Sequence, residues 1–223
     1  MCCYFYGERQ EKMDNLIVII LICIAIPLAF SLVFLDKKAR LFIGFMIIGA
    51  FVCTFASQVN TVLRNISGQD FLFVTTNITP ISEELLKALP VLLFAYAYSD
   101  NRKNLISVSM ATGIGFAIVE NIFIFVQNDS SLSVIWAIGR VFGASLMHSI
   151  CTAAVGYGIS FVRKKKKLFY TGTFALLVSA IVYHSIYNLV IQSDYAQYGI
   201  FLPLLTYVPI VILKITSSQK NRI

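Results

Sequence analysis

Pro80-Ile81-Ser82-Glu83-Glu84-Leu85-Leu86-Lys87 opens an apolar run that continues to residue 99, so two carboxylates and an ammonium sit inside a segment long enough to span a bilayer. Ionisable groups in hydrocarbon cost several kcal/mol and by default mark a functional site. Helical spacing organises them: Glu83 and Lys87 are four apart and Glu84 and Lys87 three apart, so the lysine reaches either carboxylate on one face.

The rest of the chain supports a membrane reading of that run. Of its 223 residues, 58% are hydrophobic and only 13% charged, against roughly 25% charged in soluble domains. The mean hydropathy is +0.79. At about 20 apolar residues per span the length allows six to eight helices and no separate soluble domain. Apolar runs between polar breaks fall at roughly 15–35, 40–60, 81–99, 105–127, 132–162, 168–191 and 199–215. The expected fold is therefore all-α: a polytopic membrane bundle of about seven transmembrane helices, one domain over 1–223. The first run is too long for a signal peptide, and no small-x-small site follows it, so it is expected to be retained. No fixed-period repeat is visible.

A net charge of +7 would suggest nucleic acid in a soluble protein. Here the basic residues lie in alternate breaks: Lys37, Lys38 and Arg40; Arg102 and Lys103; Arg163 to Lys167; Lys220 and Arg222. The other breaks hold Arg64 with Asp70, then Asp129, then Asp194. Positive loops face the cytoplasm, which places the N-terminus outside and the C-terminus inside. The partner implied by this charge is the lipid bilayer, not nucleic acid. The lysines at 164–167 read as a topology anchor rather than a lipid-binding site. Residues 60–79 form an external segment, either interfacial or re-entrant, that leads into Pro80. Asn65-Ile66-Ser67 formally fits a glycosylation acceptor, but nothing marks the chain as eukaryotic. The five cysteines show no CxxC pair, and those within apolar runs (Cys23, Cys53 and Cys151) read as packing residues.

Three further runs carry polar residues. Glu120 and Asn121 follow Gly113 and Phe116 in the fourth. In the fifth, Arg140, Ala144, His148, Thr152 and Gly156 recur every four residues as one ridge. His184 and Asn188 are again four apart in the sixth. Four helices thus each offer one polar face, and the economical arrangement turns those faces together around a wet cavity. With a rise of about 1.5 Å per residue, Glu120 and His184 lie roughly 10 Å below the outer ends of their spans. Glu83 and Glu84 lie within about one turn of theirs. The cluster is expected in the outer half of the membrane.

Such a set can build a hydrolytic site. A glutamate activates water as general base, and histidine and asparagine donate to a developing oxyanion. Lys87 and Arg140 balance two of the three carboxylates. No serine shows a Ser-His-Asp pattern. Zinc held by His148, His184 and Glu84 is the mechanistic rival. Metal-free catalysis is preferred over it, because no His-Glu-x-x-His occurs and the histidines lie on different helices.

Together the motifs resemble the PrsW family, in its order and over about residues 80–190. They are Glu-Glu-x-x-Lys (Glu83, Glu84, Lys87), Phe-x-x-x-Glu-Asn (Phe116, Glu120, Asn121), Arg140 with His148, Thr152 and Gly156, and His184 with Asn188. The family is similar to the glutamic intramembrane proteases that include the CAAX prenyl endopeptidases. The resemblance implies a bacterial intramembrane peptidase in the cytoplasmic membrane. Such an enzyme clips a membrane-spanning anti-sigma factor on its outer side, as site-1 protease, and starts the release of an extracytoplasmic-function sigma factor. It implies Glu83 or Glu84 as base, Glu120, His148 and His184 completing the site, and 80–190 as catalytic core. Many relatives carry aspartate at the last motif position, so Asn188 is a donor or positioning residue here. Two other classes remain: an ion- or proton-coupled transporter, and a non-catalytic scaffold or immunity protein on the same fold. No inverted repeat or paired broken helix favours the transporter.

Overall fold

The computed structural model describes residues 2–127, 133–161, 166–199 and 201–220. Every regular element among them is helical. Seven are long: α1 (Cys2–Ser31), α2 (Lys37–Ser67), α3 (Thr79–Ala97), α4 (Arg102–Gln127), α5 (Val134–Ile159), α6 (Phe174–Ile191) and α7 (Phe201–Lys220). They follow the seven expected runs in order. Asp129, Arg163, Lys164, Lys165 and Arg222, which entered the orientation argument, lie outside the described residues.

Among the described residues, four helical stretches are long and apolar enough to cross a membrane: α2, α4, α5, and Tyr170–Ile191, which contains α6. The apolar stretches at Leu16–Ser31 and Ala196–Ile212 are shorter. In α3, the 19 residues include Glu83, Glu84 and Lys87, so its composition alone does not identify it as a span.

The helix ends show what stops these elements. Asp36 caps α2 by accepting from the Ala39 amide at 2.9 Å. The same helix stops only at Gly68, whose φ of 61° is left-handed and whose amide closes on the Arg64 carbonyl. Glycine reaches that conformation without a Cβ clash. α2 therefore runs seven residues past the expected end at 60, because Asn60, Arg64 and Asn65 are polar without being helix breakers. For the same reason α1 starts at Cys2 and passes through the charged stretch Glu8 to Lys12. After a short turn capped by Asp70, the chain enters α3 through a wide π turn, Val74–Ile78. Pro80 then occupies the first turn of α3, where a missing N–H costs little.

α4 is the centre of the bundle and packs most extensively on α5 and α2. Two glycines allow this on opposite faces. A Cβ at Gly115 would fall 2.7 Å from the Met46 carbonyl carbon on α2, and one at Gly113 would fall 2.8 Å from the His148 carbonyl carbon on α5. Close backbone approach is the usual use of small residues in helical membrane proteins. Gly113→Val is expected to force α4 and α5 apart and destabilise by about 1–3 kcal/mol. Thermal unfolding in detergent measures this, and an unchanged Tm would contradict the contact. The buried core between α3, α4, α5 and α6 includes Val91, Leu105, Met147, Cys151 and Tyr187.

Candidate functional site

α3, α4, α5 and α6 bring their polar faces to one place, and α2 adds a residue that spacing alone did not single out. The result is a chain of polar contacts through the bundle. It begins at Arg140 Nη2, 3.4 Å from Glu120 Oε1. Glu120 Oε2 is 2.9 Å from His148 Nε2, and His148 Nδ1 is 2.8 Å from Lys87 Nζ. Lys87 Nζ also donates to Glu84 Oε1 at 2.5 Å. That oxygen lies 2.9 Å from His184 Nδ1. The other nitrogen, His184 Nε2, faces Glu83 Oε2 at 3.8 Å. Finally, Asn60 Nδ2 on α2 donates to Glu83 Oε1 at 3.2 Å.

The partners assign the ring protons. An ammonium only donates, so His148 Nδ1 accepts from Lys87 and Nε2–H points to Glu120. His184 donates from Nδ1 to the Glu84 carboxylate, which leaves Nε2 as the ring's second position. Among the described residues, His184 Nε2 and Glu83 Oε2 are both buried without a hydrogen-bond partner. Glu84 Oε2 also lacks one, but its carboxylate is already paired with Lys87. Unpartnered buried polar atoms are rare and call for a ligand, an ion or a water.

Aromatic packing holds the arrangement. The Phe116 ring lies 5.0 Å from the His148 ring, and Lys87 Nζ sits 4.5 Å from the Phe116 centroid. The two histidine rings meet edge to face at 4.9 Å. Lys87, His148 and His184 are fully buried, whereas the Glu120 side chain keeps 21% exposure, so the chain of contacts approaches the protein surface at Glu120 and Arg140.

Of the residues singled out by spacing, Glu83, Glu84, Lys87, Glu120, Arg140, His148 and His184 come together. Lysine takes Glu84 rather than Glu83. Asn188 is a donor, but to the Thr75 backbone carbonyl at 3.0 Å, where it pins the π turn ahead of α3. Thr152 turns back to the His148 carbonyl within α5. Asn121 likewise donates to Ala117 on its own helix at 2.8 Å and stays outside the chain of contacts. Asn60 and its neighbour Ser82 were not expected in the site. The signal for Asn60 is its period on α2, since Cys53 and Ala56 precede it on the buried face.

The donor set for a metal also differs from the His148, His184 and Glu84 expected. Glu83, His148 and His184 are the three whose ligand atoms lie within 4.8 Å of one another. Glu84 is engaged by Lys87 and His184. Two histidines and one glutamate match a catalytic zinc set. His184 Nε2 and Glu83 Oε2 are free to ligate, and His148 joins by releasing Glu120 or Lys87. Charge balance agrees: Lys87 and Arg140 are placed on Glu84 and Glu120, which leaves Glu83 without a lysine or arginine partner among the described residues. The residues present fit a divalent cation.

The fold and the site thus define a helical membrane protein built around a buried acid–base and histidine centre. The chain belongs to the PrsW family: the family model described as PrsW family intramembrane metalloprotease matches residues 37–214. That match reaches beyond the four motifs to include α2 and most of α7. The protein is accordingly a multi-pass membrane protein of a peptidase family. No curated protein and no solved structure matches the chain.

Proposed function

We propose that this protein is an intramembrane endopeptidase that cuts a single-span membrane protein near its external side, with Glu83 as the base that activates water. The observation that carries the reading is the pair of buried, unpartnered atoms Glu83 Oε2 and His184 Nε2, 3.8 Å apart. A water bridging them loses its proton to Glu83 as its oxygen attacks the scissile carbonyl carbon. The proton passes to the amine when the C–N bond breaks. His148 Nε2–H, which lies against Glu120 Oε2 in the resting site, is the donor for the developing oxyanion once it turns from that carboxylate. Glu84 and Lys87 hold the two rings in place.

Seven spans with the N-terminus outside follow from the positive loops at Lys37–Lys38 and Arg102–Lys103. In that topology the N-terminal end of α3, and Glu83 with it, lies near the external face of a bacterial cytoplasmic membrane. The external segment is the connection at 68–78 between α2 and α3, shorter than the 60–79 expected because α2 continues to Ser67, and the catalytic core spans about 80–190. The substrate that the family resemblance suggests is an anti-sigma-factor-like protein with one membrane span.

A second reading rests on the family's description as metalloproteases and on the grouping of Glu83, His148 and His184. In it these three hold a divalent cation such as zinc. When bound, the cation supplies Lewis-acid activation of water and of the scissile carbonyl.

Co-expression with a panel of tagged single-span anti-sigma factors tests the function. A wild-type-specific fragment whose size places the cut near the external face is expected. No fragment anywhere in the panel, from well-inserted protein, would overturn the reading in favour of a transporter or scaffold. Chelation of the purified protein separates the two mechanisms. Loss of cleavage restored by Zn²⁺ selects the metal, and unchanged cleavage selects Glu83 acting alone.

A further inference from the structure

Glu83 does not hold its position by itself. Its Oε1 receives Asn60 Nδ2 at 3.2 Å, and the same amide accepts through Oδ1 from Ser82 Oγ. Ser82 is in turn 2.9 Å from the Thr79 carbonyl in the first turn of α3. One side chain of α2 therefore grips two successive residues of α3, and its two ends are not interchangeable: Oδ1 faces a hydroxyl and Nδ2 a carboxylate. We propose that Asn60 is a positioning residue for Glu83. It saturates Oε1 so that Oε2 alone is presented to His184 Nε2. The inference rests on the peptidase reading given above.

The physical case comes from what Glu83 would do without the amide. Asn60 supplies the only hydrogen bond to this carboxylate among the described residues. Lys87 lies one turn along the same helix face, at the four-residue spacing that pairs Glu with Lys. It is committed to Glu84 and His148. Released from Asn60, Glu83 would compete for that ammonium. Oε2 would swing from His184, and both Glu84 and His148 would lose their brace. The helix register supports a fixed role, because α2 continues unbroken past Asn60 to Gly68, so the amide is carried on a rigid element and not on a loop.

Asn60→Asp is the discriminating variant. It keeps the size of the side chain and the acceptor for Ser82 but replaces the donor facing Glu83 with an oxygen. Cleavage of the single-span reporter should fall about 10–100-fold, as for other residues that orient a ligand or base. The loss should appear in kcat, with KM little changed. Ser82→Ala, which frees the amide to rotate, should show a smaller loss of the same kind.

A second measurement needs no proteolysis. Thermal unfolding in detergent should show Asn60→Asp lowering Tm by about 2–4 °C. Adding Glu83→Gln should restore it, because donor and acceptor are then exchanged and the bond is re-formed. An uncoupled double variant would refute the clasp even if the protein cuts nothing. Restored Tm together with wild-type kcat in Asn60→Asp would leave the peptidase standing and overturn the positioning role. Coupling in Tm with loss of kcat supports it.

Discussion

Replacing Glu83 with glutamine should reduce cleavage by about 10²–10⁴-fold, the usual contribution of a positioned acid or base. The protein should remain inserted, with Tm at or above the wild-type value. The reason for the separation lies in the hydrogen bonds. Asn60 Nδ2 donates to Glu83 Oε1, and a glutamine oxygen accepts that bond equally well. The new amide nitrogen then faces His184 Nε2, which has no partner in the native site. The variant gains a bond and loses a buried charge, yet an amide takes no proton from water. Glu84→Gln behaves differently. It weakens the contacts to Lys87 and His184 that fix both rings, so activity and Tm fall together. Cleavage that survives Glu83→Gln, with the loss confined to Glu84→Gln, would move the base to Glu84.

Lys87→Met should have the largest effect on stability. Methionine keeps most of the stem volume but removes the ammonium that lies between Glu84, His148 and the Phe116 ring. The lysine is fully buried, and so is the carboxylate it would abandon. Breaking a buried pair by deleting one partner typically costs about 3–5 kcal/mol, because the remaining charge is left unpaired. For a chain of this size that corresponds to a fall in Tm on the order of 10 °C. The double variant with Glu84→Leu removes both charges and should recover most of the stability without recovering cleavage. Wild-type Tm in Lys87→Met alone would show that the ammonium is not the keystone of the buried cluster.

The two variants report on different features of the same helix face, and the sequence distinguished them only in part. The pair Glu84 and Lys87, three apart, was legible as an ion pair, as was the four-residue ridge from Arg140 through His148 to Gly156. Helical geometry converts such spacings directly into shared faces. What spacing left open was which carboxylate Lys87 selects. That depends on His184, 100 residues away in sequence from Glu84, whose Nδ1 meets the same oxygen.

Asn121 and Asn60 show the converse. Asn121 adjoins Glu120 and was expected to support the site, but a one-residue step rotates a side chain by about 100° on a helix, and it bonds to its own backbone instead. Asn60 sat at the expected end of its span. Polarity was read there as the start of a loop, whereas the helix continues until a glycine supplies the left-handed turn.

By itself the sequence determined that the chain is a helical membrane protein, where its seven long helices lie in order, and which four of them carry the polar faces. These follow from local physics: apolar runs of bilayer length, and periodicity within each helix. Tertiary structure alone decided that Glu83, and not Glu84, faces a free histidine nitrogen. It alone placed Asn60 against the site, and set Glu83 with His148 and His184 as the metal-compatible trio. Those outcomes depend on the rotation and closeness of neighbouring helices. Contacts such as Gly113 against His148 and Gly115 against Met46 set both, and no spacing within one helix encodes them.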